Sequence, residues 1–457
     1  MKLAVNEREI VLDMLLEVEK GTYSHIVSNN ALAKYGYLDR QIRRFFKRTF
    51  EGTLEYRDLI DWVINYYSKT PVRKMKPVVR NILRLSVYQI MFMEVPAHAI
   101  CNEAVKLTSK RGFSGLKGFV NGVLRSVLRS KDNLPMPDRN AGEKEYLSVK
   151  YSMPMWIVER WLRAYGSETC EHMLIESLKQ KLLTVRINPK TMSIEEFETL
   201  AKERGIKVTV SPFYRYSFYT EGFDYIEDIP GYEEGSIYIQ DISSTLACLA
   251  SGAGEGDKCV DVCAAPGGKS MFLAELVGDK GLVVARDLSS SKTDLIRENI
   301  QRMGFNNIKA ETFDATKKDE ALTGKMDLVF ADLPCSGLGV IGRKSDIKYR
   351  MEPDMTASLA KLQKNILDTV SSYVRPGGTL LFSTCTINRE ENEDNVDTFL
   401  RDHPEFHLVP LFEGLEDEFS DKNIFRRLCE EGKKGFIQIL PGIYGMDGFF
   451  ISKFRKD

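Results

Sequence analysis

The stretch "KCVDVCAAPGGKS", residues 258–270, decides the fold of the larger part of this chain. Its first half is an apolar run typical of a buried strand, and a helical pattern begins after its two glycines. Glycines at such a turn let the backbone approach a ligand closely, and the helix N-terminus that follows carries partial positive charge. The stretch therefore predicts a strand, a ligand-binding turn and a helix.

The same alternation continues from about residue 240 to the last residues of the chain. Runs such as "GLVVARD", "MDLVFADLP" and "GGTLLFSTCT" have strand patterns, and helical segments separate them. This order predicts an α/β domain with a doubly wound, mostly parallel sheet. No helical pattern separates "GFIQILPG" from "GFFISKFR", so we expect these two strands to form an antiparallel hairpin at one edge.

Acidic residues at two strand ends indicate which ligand this sheet binds. Asp287 ends the second strand, twenty residues after Gly267, where a carboxylate is placed to bind the two ribose hydroxyls or, alternatively, to cap a helix. Asp314 ends the third strand at the same side and is a candidate contact for an adenine edge. The phosphate-binding patterns GxGxxG and GxxxxGK[ST] are absent, which argues against nucleotide hydrolysis and favours an adenosine-bearing ligand without phosphates.

The fourth and fifth strands add reactive groups at the same side of the sheet. "ADLPCSG" places Asp332 and Cys335 around a proline turn, where the acid is able to bind a planar base through its amino group and ring nitrogen. "STCT" places Cys385 at the end of the next strand, so we expect it to face Cys335. A lone buried cysteine is usually structural, whereas two beside an acid in one crevice indicate a reactive site.

Composition restricts the remaining classes of protein. Apolar residues make up 43% of the 457 residues, which is enough for packed cores in about three domains. The charged N-terminus is unlike a signal peptide, and no run of about 18 apolar residues suggests a membrane span. Eight scattered cysteines then favour reduced thiols in the cytoplasm, and Cys259 and Cys263 lack the further ligands of a zinc site, so we expect no metal.

The first 132 residues have helical patterns and a basic balance, with 23 Lys and Arg against 13 Asp and Glu, whereas the remainder is acidic. In "DRQIRRFFKRTF" the basic side chains fall on one face of a helix and the apolar ones on the other. Such a face is either an ordinary solvated surface or a surface for RNA or DNA phosphates. The candidate RNA-binding residues are Arg40, Arg43, Arg44, Lys47 and Arg48, and a second basic cluster comprises Arg73, Lys74, Lys76, Arg80 and Arg84.

A linker pattern at residues 133–145 precedes a small α+β segment. There we predict a helix that ends at Gly166, strands at "LLTVRIN" and "IKVTV", and between them a helix that ends at Gly205. The aromatic run "YRYSFYTEG" is a further candidate strand. Its rings are suited either to stacking on bases or to core packing, and core packing is the simpler interpretation.

Taken together, "DVCAAPGGK", "DLPCSG" and "STC", preceded by "QDISS", resemble the RNA cytosine-C5 methyltransferase family over about residues 235–457. The resemblance implies a Rossmann-like class I methyltransferase domain with a seven-stranded sheet and S-adenosyl-L-methionine as cofactor. Cys385 matches the family nucleophile, and Cys335 matches the second cysteine, which assists release of the product. The implied cofactor contacts are Cys263, Ala264, Ala265, Pro266, Gly267, Gly268, Lys269, Asp287, Asp314 and Asp332.

The chemistry that this resemblance implies explains the reactive residues. Addition of a thiolate to C6 of cytosine makes C5 nucleophilic, so that C5 accepts a methyl group; a base then removes the C5 proton and the thiolate leaves. Asp332 would stabilise the adduct through N3 and the exocyclic amine, and the target base has to be unpaired or flipped. Related DNA enzymes attack with the Pro-Cys cysteine, so the additional Thr-Cys cysteine favours the RNA class.

The N-terminal segments "GTYSH", "KMKPVVRNILRLSVYQI", "VPAHAICNEAV" and "GFVNGVLR" resemble the all-helical NusB-like RNA-binding domain. With the methyltransferase motifs, they imply the bacterial 16S rRNA (cytosine-967) C5-methyltransferase family. The expected organisation is a NusB-like domain at 1–132, a linker at 133–145, a small α+β RNA-binding or connecting domain at 146–235, and the methyltransferase domain at 236–457.

The chain departs from this family at four places. Arg286 stands where small or apolar residues are commoner, and Phe313 where glycine is frequent. "DLPC" replaces the commoner "DAPC", and "TCT" replaces "TCS". None of these changes removes a reacting group, so their effect would fall on the adenine pocket and on cofactor affinity.

We therefore expect a monomeric, cytoplasmic methyltransferase that forms 5-methylcytosine in small-subunit ribosomal RNA. A tRNA target is the nearest alternative. A different class of function is a ribosome-assembly or antitermination factor whose transferase domain only holds RNA. The presence of Asp332, Cys335 and Cys385 argues against a purely RNA-holding role.

Overall fold

The computed structural model describes residues 6–457, so the first five residues of the predicted N-terminal module lie outside the described part of the chain. The chain divides into two compact units. The helical unit consists of residues 6–179 and Ile341–Arg350, and the sheet unit consists of Gln180–Val340 and Met351–Asp457. This division is coarser than the four predicted segments, whose boundaries stay predictions.

Helices in both units begin at the signals that the sequence offers. Asn6, for example, accepts hydrogen bonds from the backbone N–H groups of Arg8 and Glu9, and Pro77 occupies a first turn where no N–H donor is needed. In chain order the α-helices are α1 Glu7–Glu19, α2 Ser24–Lys34, α3 Arg40–Glu55, α4 Arg57–Tyr67, α5 Pro77–Phe92, α6 Ala97–Lys110, α7 Lys117–Arg129, α8 Glu143–Lys150, α9 Met155–Ser177, α10 Ile194–Glu203, α11 Ile242–Ser251, α12 Gly268–Val277, α13 Ser290–Met303, α14 Ile347–Arg350, α15 Pro353–Val370, α16 Glu393–Asp402 and α17 Lys422–Gly432.

The strands all lie in the sheet unit among the described residues, and they form two sheets. In chain order the strands are β1 Leu183–Ile187, β2 Lys207–Val210, β3 Ser217–Glu221, β4 Ile237–Ile239, β5 Lys258–Asp261, β6 Leu282–Asp287, β7 Ile308–Thr312, β8 Met326–Asp332, β9 Val374–Thr384, β10 Phe406–Leu408, β11 Phe436–Ile439 and β12 Phe449–Lys456.

The helical unit confirms the all-helical prediction for the N-terminal module, and its core is built around α5. Phe46 and Phe50 of α3 and Ile82 of α5 are completely buried. Gly52 of α3 faces the ring of Tyr88, and a Cβ at that position would lie 2.0 Å from the ring. The packing of α3 against α5 therefore requires a glycine there.

The segment Ile341–Arg350, which includes α14, belongs to the helical unit although it follows the Cys335 loop in the chain. Lys348 Nζ donates to the backbone oxygen of Glu55 at 2.8 Å, and the Arg57 guanidinium lies 3.4 Å from the centre of the Tyr349 ring. The backbone N–H of Ser24 donates to Asp346 at 3.0 Å. These contacts anchor the segment by polar groups rather than by an apolar face.

One helix prediction in the middle segment was wrong. Gly166 has a φ of +77° and breaks the regular helix, as predicted, but helical structure resumes at once and continues to Ser177. The second half buries Met173 and Leu174 completely. Its tertiary burial therefore outweighs the local stop signal of a single glycine.

The smaller sheet contains the predicted strands and one further strand. It is antiparallel in the order β2-β3-β1-β4, and the unpredicted β4 pairs with β1. Phe218 is fully buried and Tyr214 nearly so, which agrees with core packing of the aromatic run. The buried Arg186 of β1 donates to Gln240 at 2.7 Å and pairs with the Glu275 carboxylate of α12.

The larger sheet has the order β10-β12-β9-β8-β5-β6-β7, in which β5 to β9 are mutually parallel. β11 and β12 form the predicted antiparallel hairpin. Because β10 and β11 pair with successive parts of the same edge of β12, eight strands fill seven positions. From β5 the chain adds β6 and then β7 on one side of the sheet, and it then crosses to the other side of β5 to add β8 and β9. The boundary between β5 and β8 is therefore the topological switch point, where sheets of this kind bind ligands.

The eight cysteines are all free thiols. Within residues 6–457 no helix is long and apolar enough to cross a membrane. The described side chains also contain no group of three or more His, Cys, Asp or Glu residues arranged for a metal ion.

Replacement of Lys348 by methionine tests the anchor of the 341–350 segment. Burial lowers the pKa of Lys348 to about 8. The positive charge of Arg57 lowers this pKa further, whereas the carboxylates of Asp58 and Glu55 raise it. Because the unfolded pKa is about 10.4, stability linked to this group is complete above that pH and is lost as pH falls through about 8. We therefore expect wild type to gain up to about 3 kcal/mol relative to Lys348→Met between pH 7 and pH 10.

Chemical denaturation of both proteins at the two pH values measures this difference. Lys344→Met, at an exposed lysine of the same segment, is the matched control. Equal pH dependence of wild type and Lys348→Met would contradict the buried, charged anchor.

Candidate active site

The predicted cofactor loop joins β5 to α12 at the switch point. β5 ends at Asp261 and α12 begins at Gly268. Gly267, immediately before the helix, has a φ of +109°, which residues with side chains rarely adopt. No side chain caps α12, so its first backbone N–H groups are available to a ligand.

Gly268 is required by a close contact with Tyr238. A Cβ at Gly268 would lie 2.5 Å from the ring of this nearly buried tyrosine. The second glycine of the loop therefore lets the helix start pack against an aromatic ring. Gly267 is required because the backbone there has a positive φ, whereas Gly268 is required because a side chain would collide with Tyr238.

Asp261 is a buried carboxylate beneath the loop. Ser270 Oγ donates to Asp261 Oδ2 at 2.6 Å, whereas Asp261 Oδ1 is buried without a well-formed hydrogen bond. Burial raises the pKa of Asp261 to about 7, and the bond from Ser270 and the charge of Lys269 oppose this rise. The backbone of Cys263 also lowers this pKa, and the Oδ1 atom, which has no well-formed hydrogen bond, is able to accept a further donor.

The two acids predicted to bind a nucleoside differ in their surroundings. Asp287 is buried and accepts the backbone N–H groups of Ala265 at 3.1 Å and Leu288 at 2.8 Å, so it joins the loop to the end of β6. Ser289, not Asp287, is the N-cap residue of α13, which removes the capping alternative. Asp314 is more exposed, and hydrogen bonds from Thr316 lower its pKa.

Arg286 and Phe313, two of the four departures from the family pattern, contact each other. The Arg286 guanidinium lies 4.4 Å from the centre of the Phe313 ring. Arg286 also donates to Glu311 at 2.8 Å and to Asp319 at 2.6 Å. A buried arginine is tolerated here because one ring and two carboxylates surround it.

Asp332 is held between the cofactor loop and the neighbouring strand. Its Oδ2 lies 2.7 Å from Lys269 Nζ, and its Oδ1 accepts a hydrogen bond from Ser383 at 2.8 Å. Burial alone would lower the pKa of Lys269, but the negative charge of Asp332 outweighs it and raises that pKa. The lysine therefore stays charged beside Asp332.

The structure brings the two predicted cysteines into direct contact. Cys335 Sγ and Cys385 Sγ are 3.3 Å apart, and both residues are half-buried. The hydrogen bond with Cys385, together with burial, raises the pKa of Cys335 well above its usual value. A Cys335 thiol that keeps its proton is a hydrogen-bond donor for the sulfur of Cys385.

A cavity of about 410 Å³ opens beside Cys335. Its walls come from Cys335, from the start of α15 and from the residues just before that helix, and they are mainly apolar. The lining residues are Cys335, Met351, Asp354, Met355, Ser358, Leu359 and Leu362. Cys335 therefore borders a space large enough for a small planar molecule.

The predicted basic face on α3 has the expected amphipathic form. Phe46 and Phe50 are buried, and Arg40, Arg44, Lys47 and Arg48 are exposed. Arg43 is half-buried and donates to the backbone oxygen of Leu38 at 3.0 Å, while Arg48 donates to that of Phe92 at 3.2 Å.

The second basic cluster is partly neutralised within the helical unit. Arg80 and Arg84 lie 2.6 and 2.8 Å from the Glu19 carboxylate, and Arg84 lies 2.7 Å from Asp61. This cluster therefore has a structural role in addition to any contact with a polyanion.

Several residues of the site escaped prediction. Tyr238 lies in the short strand β4, where only the alternation in "SIYIQ" pointed to a strand. Ser383 stood in the quoted "STC" motif, but its bond to Asp332 depends on the pairing of β8 with β9. Glu391 lies in the acidic run "NREENED", whose composition is typical of a solvated surface. The Glu391 side chain is nevertheless fully buried.

Comparisons with known proteins support the same assignment along the whole chain. The model of the 16S rRNA methyltransferase RsmB/F family matches residues 249–455, and that of the NusB family matches residues 5–129. A third model, the ferredoxin-like domain of RsmF/B-like methyltransferases, matches residues 153–222.

Individual relatives extend over nearly the full length. The chain is 36% identical to the probable ribosomal RNA small subunit methyltransferase B of Bacillus subtilis over 464 residues, which is 98% of each chain. It is 30% identical to the protein of the same name from Synechocystis, over 99% of this chain and all of the relative. The solved structure of PH0851 has a TM-score of 0.82 and 26% identity, and the match covers both chains completely.

The family model and the full-length relatives show that the chain is an S-adenosyl-L-methionine-dependent methyltransferase of small-subunit ribosomal RNA, in agreement with its parallel sheet and its glycine loop at the switch point. The chain belongs to the 16S rRNA methyltransferase RsmB/F family. The residues present fit this cofactor, because the uncapped start of α12 suits a carboxylate and the unsatisfied oxygen of Asp261 suits a cationic donor.

Substitution of Gly268 by alanine tests the contact that shapes the loop. The added Cβ would displace the Tyr238 ring, and overpacking of this kind costs about 1–3 kcal/mol. We expect Gly268→Ala to bind S-adenosyl-L-methionine at least about tenfold more weakly in calorimetry, and Gly268→Ala with Tyr238→Ala to recover part of the loss. Gly118→Ala, where nothing lies within 4 Å, is the control. Wild-type affinity in Gly268→Ala would refute the steric requirement.

Proposed function

We propose that this protein methylates C5 of a cytosine in small-subunit ribosomal RNA through a covalent bond between Cys385 and C6. The observation that carries the proposal is the 3.3 Å contact between Cys335 and Cys385 beside Asp332 and the cofactor loop. A pair of thiols at the ends of adjacent strands is suited to one attack and one release step.

In this proposal Cys385 is the nucleophile. Its thiolate adds to C6 of cytosine, which forms the S–C6 bond and moves electron density to C5. Cys335, whose raised pKa keeps its proton, is assigned to release: it donates a hydrogen bond to the Cys385 sulfur as the S–C6 bond breaks. After methyl transfer, a general base takes up the C5 proton, the C5–C6 double bond re-forms, and the S–C6 bond breaks with return of its electron pair to Cys385.

Asp332 is proposed to orient the base. With Oδ1 and Oδ2 fixed by Ser383 and Lys269, its carboxyl group is held rigidly where the N3 and amino edge of cytosine would lie. Lys269 holds one carboxylate oxygen and stays charged, so it also limits the cost of burying the acid. Fixed donors and acceptors of this kind stabilise charge that develops during reaction.

The cofactor contacts are proposed on the same basis. S-adenosyl-L-methionine supplies the electrophilic methyl group. The loop from Cys263 to Lys269 would hold its amino-acid part, Asp287 its ribose hydroxyls and Asp314 its adenine, and Asp332 would be a further contact. The hydrogen bond from the Ala265 N–H, which ties Asp287 to the cofactor loop, favours the assignment of Asp287, whereas the Asp314 carboxylate accepts its hydrogen bonds from its neighbour Thr316.

The target class rests on the relatives. The relatives from Bacillus subtilis and Synechocystis are both called probable ribosomal RNA small subunit methyltransferase B, which favours ribosomal RNA over a tRNA target. The cavity beside Cys335 is the proposed entry for an unstacked base. A role as an assembly or antitermination factor without catalysis is disfavoured, because such a role requires no contact between the two thiols. A monomer in the cytoplasm remains part of the proposal.

A covalent trap tests the two cysteine roles. Small-subunit rRNA, labelled S-adenosyl-L-methionine and enzyme are incubated and run on denaturing gels. We expect Cys335→Ala to accumulate an RNA–protein adduct, because attack persists and release is slowed. Cys385→Ala is expected to give neither adduct nor 5-methylcytosine.

Cys429→Ala, at a half-buried cysteine of the same unit outside the site, is the control and should behave as wild type. Methylation by Cys385→Ala would make Cys385 structural and move the attack to Cys335 or to another target atom. Absence of methylation by the wild type on every rRNA and tRNA substrate would favour the non-catalytic alternative.

Neutralisation of Arg43, Arg44 and Lys47 tests the proposed RNA surface of α3. Each lost phosphate contact reduces the slope of log K against log salt by about 0.7–0.9. We expect the triple glutamine variant to bind rRNA more weakly and with a shallower salt dependence. Triple neutralisation of Lys207, Lys309 and Lys318, exposed lysines of the sheet unit, is the control. An unchanged slope would exclude this face from phosphate binding.

A further inference from the structure

Glu391 is a fully buried carboxylate six residues after Cys385, in the 3₁₀ turn Arg389–Glu391. Its Oε2 accepts hydrogen bonds from the backbone N–H of Ser336 at 2.8 Å and from Gln363 Nε2 at 3.2 Å. Its Oε1 accepts hydrogen bonds from Ser336 Oγ at 2.5 Å and from Asn388 Nδ2 at 3.1 Å. Four donors from three parts of the chain therefore converge on one side chain.

These contacts join the two loops that carry the reactive thiols. Ser336 directly follows Cys335, so two of the four hydrogen bonds hold the Cys335 loop. Ser336 Oγ also lies 2.7 Å from Thr386 Oγ1, and Thr386 directly follows Cys385. Gln363 adds α15, the helix that lines the cavity beside Cys335. The network therefore borders both cysteines without including either sulfur.

We propose that Glu391 is the positioning residue that sets the contact between Cys335 and Cys385. The inference deepens the proposed cysteine mechanism and rests on it for its catalytic meaning, but the positioning itself is a property of the protein alone. Glu391 touches neither sulfur, and it acts through Ser336 and Thr386.

The length of the side chain is the property that this geometry requires. The carboxylate has to reach from its own turn to the backbone N–H of Ser336, and aspartate is shorter by one methylene. Glutamine has the same length, and its C=O is able to replace Oε2 toward Ser336 N–H and Gln363. Its NH₂ would then face Ser336 Oγ, which can donate to Thr386 instead, and Asn388, whose amide can turn over. Length should therefore matter more than charge.

If the Glu391 network only stabilised the core and did not position the thiols, a different result would be expected. Loss of hydrogen bonds would then lower the melting temperature but leave the geometry of the thiols in the folded fraction unchanged. The rate of disulfide formation between Cys335 and Cys385 reports this geometry directly, because it depends on the two sulfurs meeting.

The test compares Glu391→Gln, Glu391→Asp and Glu391→Ala with wild type, and Glu390→Gln, at the exposed neighbour, is the control. Each folded protein is treated with diamide, which takes up the two thiol hydrogens as the S–S bond forms. Peptide mapping then gives the rate of the Cys335–Cys385 disulfide at a temperature well below each melting point. Single-turnover methylation of rRNA is measured in parallel.

We expect Glu391→Gln to stay within about fivefold of wild type in both rates, since its contacts to Ser336 persist. Glu391→Asp and Glu391→Ala should lose about 100-fold in single-turnover rate, with rRNA affinity unchanged, because a displacement of about 1 Å has this effect on reacting groups. Their disulfide rates should change by at least about tenfold.

Wild-type disulfide and methylation rates in Glu391→Asp, or a larger loss in Glu391→Gln than in Glu391→Asp, would overturn the positioning role. The disulfide rate needs no RNA and no cofactor. If the wild type fails to methylate cytosine while the disulfide rates follow the expected order, the proposed function falls and the positioning role stands.

Discussion

The pairing of β8 with β9 is the constraint on which the active site depends. In their parallel register Asp332 lies opposite Ser383, so the two strands end level and their loops leave the sheet side by side. The backbone continues this pairing beyond the strands, because Gly339 N–H donates to the backbone oxygen of Cys385 at 3.1 Å. Strand register therefore brings the two cysteine loops side by side, and the proposed role of Glu391 is to set the contact between the two sulfurs within that frame.

The order of the strands connects this thiol pair to the cofactor loop. β5 lies next to β8, so the helix that begins at Gly268 presents Lys269 to Asp332 from the other side. Asp332 thus accepts a hydrogen bond from Ser383, on the strand that leads to Cys385, and pairs with Lys269 of the predicted cofactor loop. In the proposed mechanism, this carboxylate with its two fixed partners orients the target base for transfer of the methyl group.

Much of this arrangement could be predicted from the sequence, because strand ends in a parallel sheet converge and each motif marks one such end. The prediction that the helix ends at Gly166 was wrong, since burial of the following half of the helix outweighs the tendency of a single glycine to end it. Arg286 and Phe313 looked like separate departures, and only the structure shows that they contact each other. The burial of Glu391 could not be predicted, because its sequence neighbours are acidic like those of a surface residue. Its hydrogen-bond partners Ser336 and Gln363 lie far away in the sequence.

The most direct test of the central claim is to identify the residue that bonds to the target cytosine. Small-subunit rRNA that carries 5-fluorocytidine is suitable, because fluorine at C5 cannot leave as a proton does and the adduct persists after methyl transfer. Enzyme, this RNA and S-adenosyl-L-methionine are mixed, and the linked peptide is sequenced by mass spectrometry. The account predicts a single modified residue, Cys385. A bond to Cys335, or no adduct although unmodified rRNA is methylated, would contradict it.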